Sequence, residues 1–136
     1  MLIFADDLGY GDLGSQGAPK IKTPNLDRMA AEGVRLTTFD ANAWVCKPSR
    51  AGLLTGRYQI PFGLMSVLFL DREDGIDAEE VTLAEALRAR GYRTTCIGKW
   101  HLGHSQQFLP TADGFDSQAG SCHSNTDVST LSPRLR

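Results

Sequence analysis

At 136 residues the chain has room for one domain or part of one, and 41% hydrophobic residues suffice for a core. With 22% charged residues and a net charge of −2, the composition is that of an ordinary globular chain and excludes a strongly basic nucleic-acid grip. No apolar run approaches the ~20 residues that span a bilayer, and Cys46, Cys96 and Cys122 match neither a zinc-ligand spacing nor a disulfide framework.

Residues 2–5 (Leu2, Ile3, Phe4, Ala5) are apolar without alternation, which predicts a strand buried on both faces and cut close to its beginning. They are too short for a signal peptide and lack its basic start. The run turns acidic at Asp6-Asp7-Leu8-Gly9-Tyr10-Gly11-Asp12, where the glycines mark a loop. Thr23-Pro24 opens a predicted helix, with Thr23 as N-cap and proline at the first position, where its missing N–H costs nothing. Leu26, Met29 and Ala30 share a face of that helix and Gly33 stops it. Residues 34–39 read as the following strand.

A second helix is expected over residues 49–55, closed by Gly56. The third has the clearest start: Thr82-Leu83-Ala84-Glu85 is a capping box, with Leu83, Ala86 and Leu87 expected to face inward and Gly91 to end the helix. Residues 92–97 then form a predicted strand with Gly98-Lys99-Trp100-His101 at its carboxyl end. Residues 121–136 are serine-rich and without period, an irregular tail. Strands alternating with helices predict an α/β fold with a parallel sheet. Ligands collect beyond the carboxyl ends of such strands, where Asp6-Asp7 and Lys99/His101 are both expected.

Adjacent carboxylates such as Asp6 and Asp7 fit either a solvated turn or a hard oxygen-binding cation, calcium or magnesium rather than zinc. The run Cys46-Lys47-Pro48-Ser49-Arg50-Ala51-Gly52-Leu53-Leu54-Thr55-Gly56-Arg57 is more specific. A cysteine at a helix N-terminus near Lys47 and Arg50 predicts a reactive thiolate, and a buried structural cysteine fits those neighbours poorly.

The Cys46 run resembles the signature of the sulfatase family, of the arylsulfatase and N-acetylgalactosamine-6-sulfatase kind, in which a dedicated enzyme oxidises the cysteine to formylglycine. Asp6-Asp7-Leu8-Gly9-Tyr10-Gly11-Asp12, Thr23-Pro24-Asn25-Leu26-Asp27, Gly98-Lys99-Trp100-His101-Leu102-Gly103 and Gly114-Phe115-Asp116 resemble further family blocks, in family order. The resemblance covers roughly residues 2–120. It implies the N-terminal part, over residues 1–120, of an alkaline-phosphatase-like sandwich with a mostly parallel sheet flanked by helices. Residues 121–136 diverge from it.

The resemblance also implies a chemistry. Formylglycine at position 46 would hydrate to a diol, and Asp6, Asp7 and that residue would hold a calcium ion that activates the diol for attack on a sulfate ester. Arg50 would steady the diol, Lys99 would clamp the sulfate oxygens, and His101 would hydrogen-bond the diol and help remove its proton. Strand alternation would project Lys99 and His101 to the same side. The substrate would be a sulfated sugar or an aryl-type sulfate ester, and the formylglycine-generating enzyme a partner. The family works in lysosomal, secreted or periplasmic settings.

An Asp-Asn pair that completes the calcium shell, with a further His and Lys, is absent from the sequence. The chain therefore reads as a fragment, a truncated gene model or a splice product. His104, Cys122 and His123 are assigned no role. Two other readings stand beside the sulfatase one: a phosphonate or phosphate monoester hydrolase of the same superfamily, and a non-catalytic truncated product.

Overall fold

The computed structural model describes residues 1–58 and 75–121. The chain divides into two units, Met1–Asp40 and Ala41–Arg136.

In the first unit, a 3₁₀ turn at Gly14–Gln16 precedes helix α1, Pro24–Glu32. Proline sits at the start of α1 as expected, but Thr23 does not cap the helix through its side chain. Its hydroxyl accepts from the Gly14 N–H at 2.8 Å and donates to Asp27 Oδ1 at 2.9 Å. The same carboxylate oxygen accepts from the Ser15 N–H at 2.7 Å. Asp27 thus ties the 3₁₀ turn to the first turn of α1, and Gly33 closes the helix through Met29 O.

The predicted strands at 2–5 and 34–39 do not form, and Leu2, Ile3, Val34, Leu36 and Phe39 are exposed. A strand exists through its ladder to a neighbour, and a unit of 40 residues buries too little surface to cover apolar runs by itself. Leu26 and Met29 are exposed for the same reason.

The second unit holds helix α2 (Cys46–Thr55), helix α3 (Leu83–Arg88), strand β1 (Thr95–Ile97) and strand β2 (Ser117–Ala119). The helix expected over 49–55 begins three residues earlier, at Cys46. Pro48 is harmless there, because the first-turn N–H groups have no partner inside the helix. Gly56 ends α2 in the left-handed conformation, φ 65°. The α3 capping box is complete: Glu85 N–H donates to Thr82 Oγ1 at 3.2 Å and Thr82 N–H to Glu85 Oε2 at 2.8 Å. Its inward residue is Ala84 rather than Leu83 or Ala86, because the Thr82 hydroxyl is turned onto Asp113 O, 2.7 Å away.

β1 and β2 pair in parallel, with Thr95 opposite Ser117 and Ile97 opposite Ala119. The parallel pairing was expected and β1 is shorter than predicted. β2 has no apolar pattern and is defined by its pairing. Asp116 fastens the start of the ladder by accepting from the Thr94 N–H at 2.8 Å. That bond, with a smaller contribution from the Thr94 hydroxyl and from Arg88 and Arg93, holds the Asp116 carboxyl below the usual range against a partial desolvation.

Ala51, Ile76, Trp100 and Leu102 make the core, with Leu54, Cys96 and Phe115 against it. Trp100 meets Phe115 edge-on, ring centroids 5.9 Å apart, and its indole N–H donates to Phe108 O at 2.8 Å. No helix among the described residues is long and apolar enough to cross a membrane. The tail beyond Ser121, with Cys122 and His123, lies outside the described residues.

Candidate active site

Cys46 opens α2 behind an extended Val45 and is half-buried. The face of α2 that turns inward carries Lys47, Pro48, Ser49, Ala51 and Gly52. Gly52 packs close to Asn42: a Cβ there would overlap the Asn42 side chain, which would have to move. Lys47, read from the sequence as a cation near the cysteine, is fully buried in the first turn of the helix.

Two bonds link α2 to the segment that follows β1. The Cys46 Sγ lies 2.9 Å from His101 Nδ1, within hydrogen-bond range for sulfur, and the imidazole tautomer decides which atom donates. One turn along the helix, the Arg50 guanidinium donates to the Lys99 backbone carbonyl at 2.6 Å. Cys46, Arg50, Lys99 and His101 are therefore brought together, although more than 40 residues of sequence separate the two pairs.

The route differs from the expected one. β1 ends at Ile97, so Lys99 and His101 do not alternate along a strand. Gly98 turns the chain at φ 101°, and His101 itself adopts φ 60° while remaining buried. A side chain other than glycine held in this region costs on the order of 1–3 kcal/mol. Trp100 anchors the loop in the core between Lys99 and His101. That anchoring role was missed in the sequence, where tryptophan between a lysine and a histidine read simply as part of a block.

Asp6 and Asp7 belong to the first unit. Asp6 is half-buried, and Asp7 is exposed with φ 57°. Both offer hard carboxylate oxygens, the donor type that suits calcium. Among the described residues, no group of three or more His, Cys, Asp or Glu side chains stands close enough to hold a metal ion.

The sequence profile described as Sulfatase matches residues 1–133. Arylsulfatase A of Bos taurus is 54% identical over 118 residues, covering 85% of this chain and 23% of the relative. N-acetylgalactosamine-6-sulfatase of Sus scrofa is 46% identical over 133 residues, covering 90% of this chain and 26% of its own. A crystal structure of Ps i-CgsB superposes with a TM-score of 0.86 at 36% identity, over 90% of this chain and 27% of that one. The same protein in complex with k-i-k-neocarrahexaose gives a TM-score of 0.84 at 34% identity, over 88% of this chain and 27% of that one. The chain spans about a quarter of the length of the relatives it matches.

Proposed function

This chain belongs to the sulfatase family, and from that premise we propose that it carries the nucleophile half of a sulfuric ester hydrolase. Its fold is the incomplete N-terminal part of the family's alkaline-phosphatase-like architecture. The observation that carries the proposal is the 2.9 Å contact between Cys46 Sγ and His101 Nδ1 at the mouth of α2.

Position 46 is the nucleophile once its cysteine has been oxidised to formylglycine, whose hydrated aldehyde supplies an oxygen nucleophile that can later release sulfate. His101 Nδ1, already in hydrogen-bond contact with the side chain of residue 46, is placed to hold and take up that side chain's proton. Arg50 braces the loop by gripping the Lys99 carbonyl and adds positive charge beside residue 46. Lys99 clamps the sulfate oxygens, where fixed cations stabilise charge that develops during transfer. Asp6 and Asp7 are the residues that would hold calcium, whose positive charge would favour the anionic chemistry of sulfate transfer.

Two relatives support a sulfated-sugar substrate: one is named for N-acetylgalactosamine 6-sulfate chemistry, and Ps i-CgsB is seen with a bound neocarrahexaose. An aryl sulfate serves as a convenient surrogate. The chain spans about a quarter of the length of these relatives, and the roles assigned above include neither protonation of the leaving alcohol nor a full calcium shell, so the chain by itself is read as catalytically incomplete.

The test is co-expression with a formylglycine-generating enzyme. Mass spectrometry of the peptide bearing residue 46 is expected to show a loss of about 18 Da, CHO replacing CH₂SH as a covalent modification, and reactivity toward a hydrazide. An intact thiol, with a positive-control substrate converted in the same cells, removes the proposal.

A further inference from the structure

We propose that Asp113, in its protonated form, is a positioning residue: it holds the turn 109–114 on α3 and through that turn the Lys99–His101 loop, which is therefore ordered at acidic pH and loosens as the pH rises. This rests on the reading of Lys99 and His101 given above.

Asp113 is 8% exposed, and among the described residues its buried Oδ2 has no hydrogen-bond partner. Its backbone is well fastened: the carbonyl accepts from the Thr82 hydroxyl at 2.7 Å and the N–H donates to Leu109 O at 3.2 Å. The next residue, Gly114, has φ 92° and backs directly onto Glu85, so that a Cβ there would overlap both the backbone and the side chain of Glu85. The turn is thus pressed against the capping box of α3. Trp100 is gripped on either side of the same turn, by Phe108 O just before it and by the Phe115 ring just after it. Lys99 and His101 flank Trp100 in the chain. Displacement of the turn releases Trp100, and with it the two residues assigned to the sulfate and to residue 46.

The charge that α3 turns toward Asp113 is the carboxylate of Glu85, which is itself committed to the Thr82 N–H. Arg88, further along α3, and Arg93 act on Asp116 instead. Burial first, and Glu85 second, push the Asp113 carboxyl up to about 7. Below that pH a neutral acid sits comfortably against the capping box. Above it, a buried negative charge faces the half-buried Glu85 carboxylate, and lifting the turn into water relieves both penalties.

The sign of the linkage follows. A raised carboxyl binds a proton in the folded chain that the unfolded chain releases at its ordinary value of 3.8. Folding therefore loses one proton's worth of stability as pH climbs from 3.8 toward 7, and levels off above.

The experiment uses the chain with Trp44→Phe, since Trp44 is exposed and the sequence holds two tryptophans, leaving Trp100 as the reporter. Emission and urea unfolding are followed from about pH 4 to 9, the span between ordinary and strongly raised carboxyl values. Trp100 emission is expected to shift toward that of exposed indole with a midpoint about 7. The unfolding constant of the parent is expected to rise relative to Asp113→Asn by up to about tenfold per pH unit across the interval below that midpoint. Asn mimics the neutral acid, so Asp113→Asn should show neither change.

Glu85→Gln, which removes the facing charge, should move the Trp100 midpoint to lower pH. A transition that persists unaltered in Asp113→Asn, or that never occurs in the parent, overturns the proposal. If Asp113→Asn does not fold, Glu85→Gln decides alone, an unmoved midpoint counting against. None of these readouts involves turnover, so failure of the sulfatase assignment and failure of this one are separable.

Discussion

The unit Met1–Asp40 and the unit that follows it obtain their order from different sources. In the first, Leu2, Ile3, Leu26, Met29, Val34 and Phe39 are exposed, and the local structure is held by polar ties that converge on Asp27. In the second, Ala51, Ile76, Trp100 and Leu102 are buried together, and the polar ties are added to a core. Both carry family blocks of similar clarity. The contrast teaches that a block closes its own turn with short-range hydrogen bonds, whereas an apolar run becomes a strand only where another strand meets it.

The largest expected effect tests the core side of the contrast. Trp100→Ala should cost about 3–5 kcal/mol of stability, the range for deleting a buried aromatic side chain. Leu26→Ala, on the exposed face of α1, should stay within about 0.5 kcal/mol. Urea denaturation of the two variants checks this, and equal losses would mean that the first unit has a core after all.

The next effect bears on catalysis. In an enzyme completed by the remaining family sequence, Lys99→Ala should slow turnover by ~10²–10³, the usual result of removing one charge-stabilising donor. Asp27→Ala, which breaks the ties to Ser15 and Thr23, should leave kcat nearly unchanged and lower stability by about 1 kcal/mol. Steady-state kinetics on both decides: equal losses in kcat would take Lys99 out of the site.

A smaller effect concerns pH and the ladder. The Asp116 carboxyl is depressed in the folded chain, so its contribution is present above the ordinary value of 3.8 and is lost as pH falls through the depressed one. Asp116→Asn should therefore flatten the acid limb of the stability curve below that value and leave the neutral limb parallel to the parent. Thermal unfolding at stepped pH reads this directly, and an unchanged acid limb would show that Asp116 does not carry the linkage.

How far the sequence could be read follows the same division. Helix ends are local events, so Pro24, Gly33, Gly56 and the Thr82–Glu85 capping box were legible, as was the fold class through its parallel pairing. Residues 2–5 and 34–39 have strand-like composition, but pairing is non-local and composition does not report it. β2 is the converse: Ser-Gln-Ala gives no pattern, yet it pairs because Thr94 and Asp116 bring its start beside β1. At the site, the block structure pointed to Cys46, Arg50, Lys99 and His101; the fold ties the Cys46 and His101 side chains together and joins Arg50 to the Lys99 backbone carbonyl. The left-handed turn at His101 and the anchoring of Trp100 on Phe108 and Phe115 depend on tertiary contacts and were not visible. Asp113 was missed because nothing in the sequence marks a lone aspartate between alanine and glycine as buried.

The smallest expected effect concerns calcium, and it tests the polar first unit. Asp6 and Asp7 provide two carboxylates, about four oxygens at most, where calcium takes about 6–8. Water must fill the remaining positions, and each water exchanges readily with solvent. Asp7 is exposed, which keeps its carboxylate hydrated and reduces what binding a cation can gain. Strong sites gather several protein oxygens in a rigid frame, and tight calcium loops reach their affinity through ligand number and charge. Isothermal titration of the 136-residue chain should therefore show affinity no tighter than the weak, roughly millimolar class of sites. A chromogenic aryl sulfate assay on the converted chain should show no turnover, since none of the residues assigned to the site is assigned to protonating the leaving alcohol. Asp6→Asn should abolish what weak binding there is. Micromolar affinity together with measurable turnover would mean that these two carboxylates and the Cys46–His101 pair suffice, and that the polar unit is a finished half-site.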